Sequence, residues 1–469
     1  MGSLHETNPS LWVGTTGDDD GVRAPLPSRA DVVVVGAGIA GLTTARLLAG
    51  EGASVAVLDA GPVGAGVTGY TTAKITALQR TVMSEISRRH GAETAAVYAA
   101  ANRAAVEEIA ALVIDDGIEC NFERAPACTF TTELGQVSAV EAEHQACTAA
   151  GLPTRLDAST ELPLPVQAAV WLDDQAQFHP RRYCLGLATA LRNARGTIHE
   201  RTRALHVKDG RSGVTVKTDV GEIAADHVVL ATHLPFLDRG GFFARAHPYR
   251  SYAMAVRLDT DRPQGMYISV ESPTRSVRST SDGWTVLGGE GHKVGHDPDT
   301  RQRYEALESW ARQHFSVAEV GYRWSAQDYE SVDGLPYIGR ILPTSHRVWL
   351  ATGFRKWGMT NGTVAGMILR DLIGGRDNPW AAVFDATRLA PGKSVRTLMR
   401  ENVDVGKRLV ADRLTKKGPT CTHLGCRLDF NTAERSWDCP CHGSRFDAQG
   451  HLLQGPATED LTSIEPPRD

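Results

Sequence analysis

No run of about 18 uninterrupted apolar residues occurs anywhere in the sequence, so no stretch reads as a membrane-spanning helix. A basic excess is missing as well: 50 Lys and Arg stand against 55 Asp and Glu, for a net charge of −5. Without a polybasic stretch the chain offers no electrostatic footprint to nucleic acid or anionic lipid, and neither is expected as a partner. The amino terminus, MGSLHETNPSLW, lacks the basic region followed by an apolar one that marks a secretory signal, so the expected location is cytoplasmic. Cysteine is scarce. Eight in 469 residues would place fewer than one in a random 21-residue window, yet 421–441 holds four. The other four, Cys120, Cys128, Cys147 and Cys184, are dispersed and read as lone thiols in or near the core.

What is present is the make-up of a globular protein: 42% apolar and 22% charged residues, with 46 glycines and 23 prolines, neither disordered nor fibrous. The length is about three times the ~150-residue prior for one domain, which implies two or three domains or a large one with an appendage. After a polar leader to Arg29, ADVVVVGAGIAGLTTARLLAGEGASVAVLDA reads as strand, tight turn, helix, strand. Residues 85–116 read as two helices broken near Gly91, and 124–175 as short strand pieces between polar turns. Pro180 to Asn193 reads as helix, 214–232 as a hairpin and buried strand, and 249–292 as antiparallel sheet. A second strand, glycine turn and helix follows at 346–375, then a linker and a helix over 395–414.

Gly36, Gly38 and Gly41 form G-x-G-x-x-G at the first strand-to-helix turn, and Asp59 ends the second strand 18 residues later. Glycines there permit the sharp turn, the approach of a pyrophosphate and close helix packing, and the carboxylate accepts from ribose hydroxyls. The unit marks a dinucleotide site without separating FAD from NAD. In the cysteine window, CTHLGC at 421–426 and CPCHGS at 439–444 give Cys-x-His, fifteen residues, Cys-x-x-His. Two cysteines and two histidines so spaced could bind zinc or a 2Fe-2S cluster with mixed ligation.

Over roughly residues 30–375 the sequence resembles the D-amino acid oxidase-like superfamily of FAD enzymes, which includes glycine and sarcosine oxidases. The resemblance rests on the Gly36 to Asp59 fingerprint, GAGVTGYTTAKIT at 64–76, FHP at 178–180, VVLAT at 228–232, VDGLPYIG at 332–339 and VWLATGFRKWGMTNG at 348–362. It implies an α/β (α+β) fold, a Rossmann-like FAD-binding domain with an inserted antiparallel-sheet substrate domain. The FAD-binding parts would be about 30–90, 170–240 and 328–375, and the substrate-domain parts about 91–169 and 241–327. The resemblance also implies FAD contacts from Gly36, Gly38, Gly41, Asp59, Ala60, Thr72, Ala73, Thr232, Asp333, Gly353, Gly358, Met359 and Thr360. His233 stands where that superfamily usually has glycine. Lys74, Arg355, Lys356 and Trp357 are the groups expected to reach the flavin, with His292 and Tyr252 as candidates for the substrate wall.

CTHLGC and CPCHGS resemble the Rieske proteins of cytochrome bc-type complexes. The resemblance implies a small carboxy-terminal all-β segment, 420–469, beyond a linker and helix at 376–419. Cys421 and Cys439 would hold one iron, His423 and His442 the other, and a Cys426–Cys441 disulfide would tie the two loops, shielded beside the cluster. Ser444 is placed to donate to a bridging sulfide, and Phe446 replaces a tyrosine, which implies a lower potential. The strand-rich base that Rieske domains usually place before the first ligand loop is absent from the segment, so it is truncated or the base comes from elsewhere in the chain. Together the two halves resemble fused FAD–Rieske oxidoreductases. They imply a small-molecule substrate, an amine, imino acid or related C–N compound, with an electron-carrier protein or quinone as acceptor. Two other readings stand beside this one: an electron-transfer protein between protein partners, and a simple flavin oxidase with a structural cluster. The sequence leaves oligomeric state open.

Overall fold

The computed structural model describes residues 8–17, 24–210, 213–295, 299–388, 399–400, 402–403, 405 and 418–462. The β-branched run of Arg29–Val35 forms the central strand of a parallel sheet, paired with Val55–Leu58 on one side and Gly221–Leu230 on the other. Thr197–His199 extends one end, and Val348–Thr352 with the antiparallel Tyr337–Arg340 extends the other. Burial on both faces explains the unbroken valines, since Val32 to Val35 are all at most 4% exposed. Helices Ile39–Gly50 and Gly358–Ile373 pack on this sheet and on each other.

A nine-stranded, mostly antiparallel sheet forms the second layer. Its longest ladder joins Ala246–Leu258 to Val317–Ser331. Val82–His90 and Ala92–Asp115 are the two expected helices, separated at Gly91. The stretch read as short strands and turns contains a helix, Val137–Ala149, as well as strands Glu123–Thr131 and Ala168–Gln177. The reason is tertiary: buried Glu143 accepts from the Met83 and Ser84 amides and so satisfies the start of the neighbouring helix. The leader is not wholly polar in its environment either. Leu11, Trp12 and Val13 are buried, and the Trp12 indole donates to the Thr71 carbonyl at 2.7 Å.

The carboxy-terminal sheet runs Asp429–Asn431, Ser436–Asp438, Arg445–Asp447, Leu452–Gln454, all antiparallel. The helix expected over 395–414 lies almost wholly outside the described residues. The base that the segment lacks is supplied by the nine-stranded sheet. Gln327 and Tyr329 donate to the Gly443 and His442 carbonyls at 2.8 and 2.7 Å, and Tyr304, on the helix Arg301–His314 packed against that sheet, donates to Glu434 at 2.6 Å. Arg250, 1% exposed, pairs with Asp438 at 2.8 Å, and Asp438 also takes Arg445 at 3.2 Å. The approach is close enough to require glycine: a Cβ on Gly443 would stand 2.5 to 2.8 Å from Gln327, Tyr329 and Pro248.

Candidate functional site

The fingerprint turn places the start of helix Ile39–Gly50 against a cavity that Gly36, Gly38, Ile39 and Ala40 help to line. Gly41 packs the helix onto the strand, since a Cβ there would lie 1.9 Å from the Gly36 carbonyl oxygen. Asp59 lines the same cavity and accepts from the Ala37 amide at 2.6 Å and the Gly61 amide at 2.7 Å. Burial nevertheless pushes its pKa up. Arg201 and Arg203 bring cations to the wall. A helix start met only by the Thr68 hydroxyl, which accepts from the Ile39 amide at 3.2 Å, a carboxylate and two guanidiniums are the donor and acceptor set that a ribose and a pyrophosphate require. Ala60, Thr232, Gly358 and Met359 also line this cavity.

Gly41, Thr72, Ala73, Asp333, Gly353 and Thr360 stand outside that lining. Asp333 is fully buried and engaged by Arg388 at 2.8 and 3.0 Å. Thr360 accepts from Gln79 at 3.0 Å, Thr72 gives its carbonyl to Arg278, and Gly353 (φ +77°) backs onto Ser331. Ala73 has φ +59°, and its amide donates to the Thr71 hydroxyl at 3.1 Å.

Of the groups expected at the flavin, Lys356 lines the cavity. Arg355 instead pairs with Glu85 at 2.7 Å and donates to the Gly334 carbonyl at 3.1 Å. Trp357 occupies the position just before helix Gly358–Ile373 without a capping hydrogen bond from its side chain. Lys74 is buried against the Ser276 hydroxyl, and burial, with Arg278 nearby, pushes it down to about 7. Tyr252 and His292 bond each other at 3.0 Å. Tyr252 also packs on Tyr304, so the pair belongs to the seat of the carboxy-terminal segment. Sequence reasoning did not reach Asp328, which lines the cavity between Lys356 and His233 and is pushed up to about 6 by burial. Nothing in the sequence marks it apart from its neighbours.

The two ligand loops repeat one turn. Gly425 donates to the Cys421 carbonyl and Gly443 to the Cys439 carbonyl, each at 3.0 Å. Cys426 and Cys441 are joined in a disulfide. Cys439 hydrogen-bonds to Cys421, which lowers the Cys421 pKa. The rings of His423 and His442 stand perpendicular, centroids 5.1 Å apart, and both Nδ1 atoms are buried without a hydrogen-bond partner. At His423 the Nε2 contacts Asp238 at 3.0 Å, which fixes the proton on Nε2 and leaves the Nδ1 lone pair for a metal. Two thiols and two orphaned imidazole nitrogens therefore fit a metal centre with mixed sulfur and nitrogen ligation. Ser444 accepts from the Ala457 amide at 3.0 Å and its side chain hydrogen-bonds toward the Cys421 sulfur, which places its hydroxyl at the ligand loops, and Phe446 is fully buried with no hydroxyl to offer.

The model of the FAD dependent oxidoreductase family (DAO) matches residues 31–372. The chain is an FAD-dependent oxidoreductase of the DAO family. The model of the Rieske [2Fe-2S] domain matches residues 380–465, which begins inside the stretch read as linker. The cofactors of this DAO-family enzyme are thus FAD and a Rieske 2Fe-2S cluster. A curated relative, the "Putative Rieske 2Fe-2S iron-sulfur protein YhfW" of Bacillus subtilis, is 32% identical over 474 residues, 93% of each chain. Cytochrome b6-f complex iron-sulfur subunit 2 of Nostoc is 49% identical over 45 residues, 10% of this chain and 25% of that one. Glycine oxidase from Geobacillus kaustophilus superposes with a TM-score of 0.65 at 19% identity, covering 78% of this chain and 100% of the other. L-proline dehydrogenase from P. horikoshii gives 0.63 at 20% identity, over 77% and 98%. At such identities the solved structures establish a shared fold. Among the described residues no helix is long and apolar enough to cross a membrane.

Two substitutions probe the two centres of the DAO-family enzyme. Asp59→Ala orphans the Ala37 and Gly61 amides besides removing the ribose acceptor, so it should lower the thermal midpoint as well as flavin retention, at a cost of about 1–3 kcal/mol per buried amide. A differential scan and the visible spectrum after gel filtration check both. Asp238→Asn removes the carboxylate behind His423, which should raise the cluster's reduction potential and weaken iron retention about 10–100-fold. An unchanged midpoint in a redox titration would mean that Asp238 has no hold on the centre.

Proposed function

We propose that the enzyme oxidises a small amine, imino acid or related C–N compound and passes the electrons one at a time through its iron–sulfur segment to an external carrier. When bound, FAD supplies acceptance of a hydride and release of single electrons, and the cluster supplies one-electron transfer. One observation carries the reading. Along strand Val317–Ser331, Asp328 faces the dinucleotide cavity, while its neighbours Gln327 and Tyr329 face the other way and hold the Gly443 and His442 carbonyls of the ligand loop. The cavity and the cluster loop lie on opposite faces of one strand.

The residues of the cavity fit the substrate class. Asp328 is an anion for a substrate ammonium group, and the charge of Lys356 draws its pKa down against burial. With burial holding Asp328 at about 6, the carboxylate is charged at neutral pH and can take up a proton as the substrate nitrogen loses one. The names of the fold relatives, glycine oxidase and L-proline dehydrogenase, point the same way.

An anaerobic screen of the purified holoprotein against amines and amino acids tests the reading. At least one such compound should bleach the flavin band. Bleaching only by a reduced carrier protein would instead support electron transfer between protein partners.

A further inference from the structure

His233 follows the strand Gly221–Leu230 in a turn where it adopts φ +69°. A non-glycine residue in that region is uncommon and strained, and it persists only where its surroundings over-determine it. Here they do. The His233 carbonyl accepts from the Thr352 hydroxyl. Nδ1 accepts from the Gln454 side-chain amide at 3.0 Å, a bond to the carboxy-terminal sheet. The ring meets Tyr329 edge-on, centroids 4.6 Å apart, and the Tyr329 hydroxyl donates to the His442 carbonyl at 2.7 Å. The other edge lines the dinucleotide cavity beside Asp328. With Nδ1 accepting, the proton sits on Nε2, which is buried, without a hydrogen-bond partner, and 3.9 Å from the Asp328 carboxylate.

One ring therefore touches the cavity, the carboxy-terminal sheet and, through Tyr329, the backbone of a cluster ligand. We propose that His233 is the bridge between the two centres: its ring and that of Tyr329 form the packed contact path along which an electron crosses from the flavin cavity to the cluster loop. The role rests on the flavin-to-cluster reading above and adds to it a residue and a route. With both cofactors bound, each crossing would take one electron from reduced flavin and reduce one ferric iron of the cluster to ferrous. Both bridging side chains stay neutral throughout. Burial pushes His233 down to about 3, so its ring does not take up a proton at neutral pH.

The test uses holoprotein under argon, with a deazaflavin flash to place one electron on the flavin and absorbance to follow its arrival at the cluster. His233→Gly relieves the positive φ and should keep flavin, iron, labile sulfide and thermal midpoint, yet slow the arrival several-fold. His233→Asn also tolerates that φ and can still meet Gln454, but it lacks the ring on Tyr329 and should slow the arrival likewise. An arrival as fast as in the unaltered chain, in either variant, would overturn the bridge. So would loss of flavin or iron from both variants, because His233 would then be a support of the binding sites. Failure of the unaltered chain to move the electron at all would count against the flavin-to-cluster reading itself.

Discussion

Arg250→Met should yield a protein that is yellow but poor in iron and labile sulfide. Arg250 lies at 1% exposure between the two units, donating to Gln327 at 3.2 Å and pairing with Asp438 at 2.8 Å. Burial alone would raise the Asp438 pKa, but Arg250 and Arg445 outweigh it and hold the carboxylate below its ordinary value. Its folded pKa being depressed, the pairing stabilises fully at neutral pH and is lost only as pH falls through that lowered value. Removing one partner of a buried pair costs about 3–5 kcal/mol, because the remaining charge stays buried. Against a total stability of about 5–15 kcal/mol for a domain, that is enough to undock a small sheet with a modest core of its own. Asp438 adjoins the ligand Cys439, so undocking should reach the cluster directly. The dinucleotide fingerprint takes no part in this pair, but Asp447 and Leu452 to Gly455 of the segment help to line the same cavity, so flavin should be retained more weakly yet fall less than iron. Iron, sulfide and flavin per chain check the outcome, with limited proteolysis to show release of the segment. A variant with full iron and an uncut segment would mean that other contacts carry the docking.

Gly38→Val should give colourless protein with an intact fold. A Cβ at Gly38 meets only the Thr68 hydroxyl, at 3.1 Å, and the residue has φ −84°, which any residue adopts. The chain itself can therefore accept the side chain. What it cannot accept is a pyrophosphate against the helix start, because the valine methyls occupy the space the phosphates need. Gly41→Val is the contrasting case. Its Cβ would sit 1.9 Å from the Gly36 carbonyl oxygen, so there the turn itself must break and unfolding is expected. Absorbance near the flavin band and a thermal scan separate the two. A Gly38→Val protein with stoichiometric flavin would place the cofactor elsewhere.

Much of this was legible in the residues. The valine run, the glycine triplet and Asp59 specify a βαβ unit by local rules, and the Cys-x-His and Cys-x-x-His loops carry their chemistry in short windows. The helix Val137–Ala149 was missed. Its buried positions, Val140, Glu143 and Cys147, include a carboxylate whose partners lie about 60 residues away. The seat of the iron–sulfur segment was out of reach for the same reason. Arg250 meets Asp438, Tyr304 meets Glu434 and Thr300 meets Asn431 across separations of 130 residues or more, and nothing local to any of them names its partner. His233 is intermediate: its departure from glycine shows in the sequence, while what the ring bridges shows only in the fold.

The most direct test is paramagnetic resonance on holoprotein frozen after anaerobic mixing with the substrate that bleaches the flavin. Mixed nitrogen and sulfur ligation should give the reduced cluster a rhombic signal of low average g, and the account predicts that signal within the turnover that bleaches the flavin. A fully bleached flavin beside a cluster that stays oxidised and silent would contradict it.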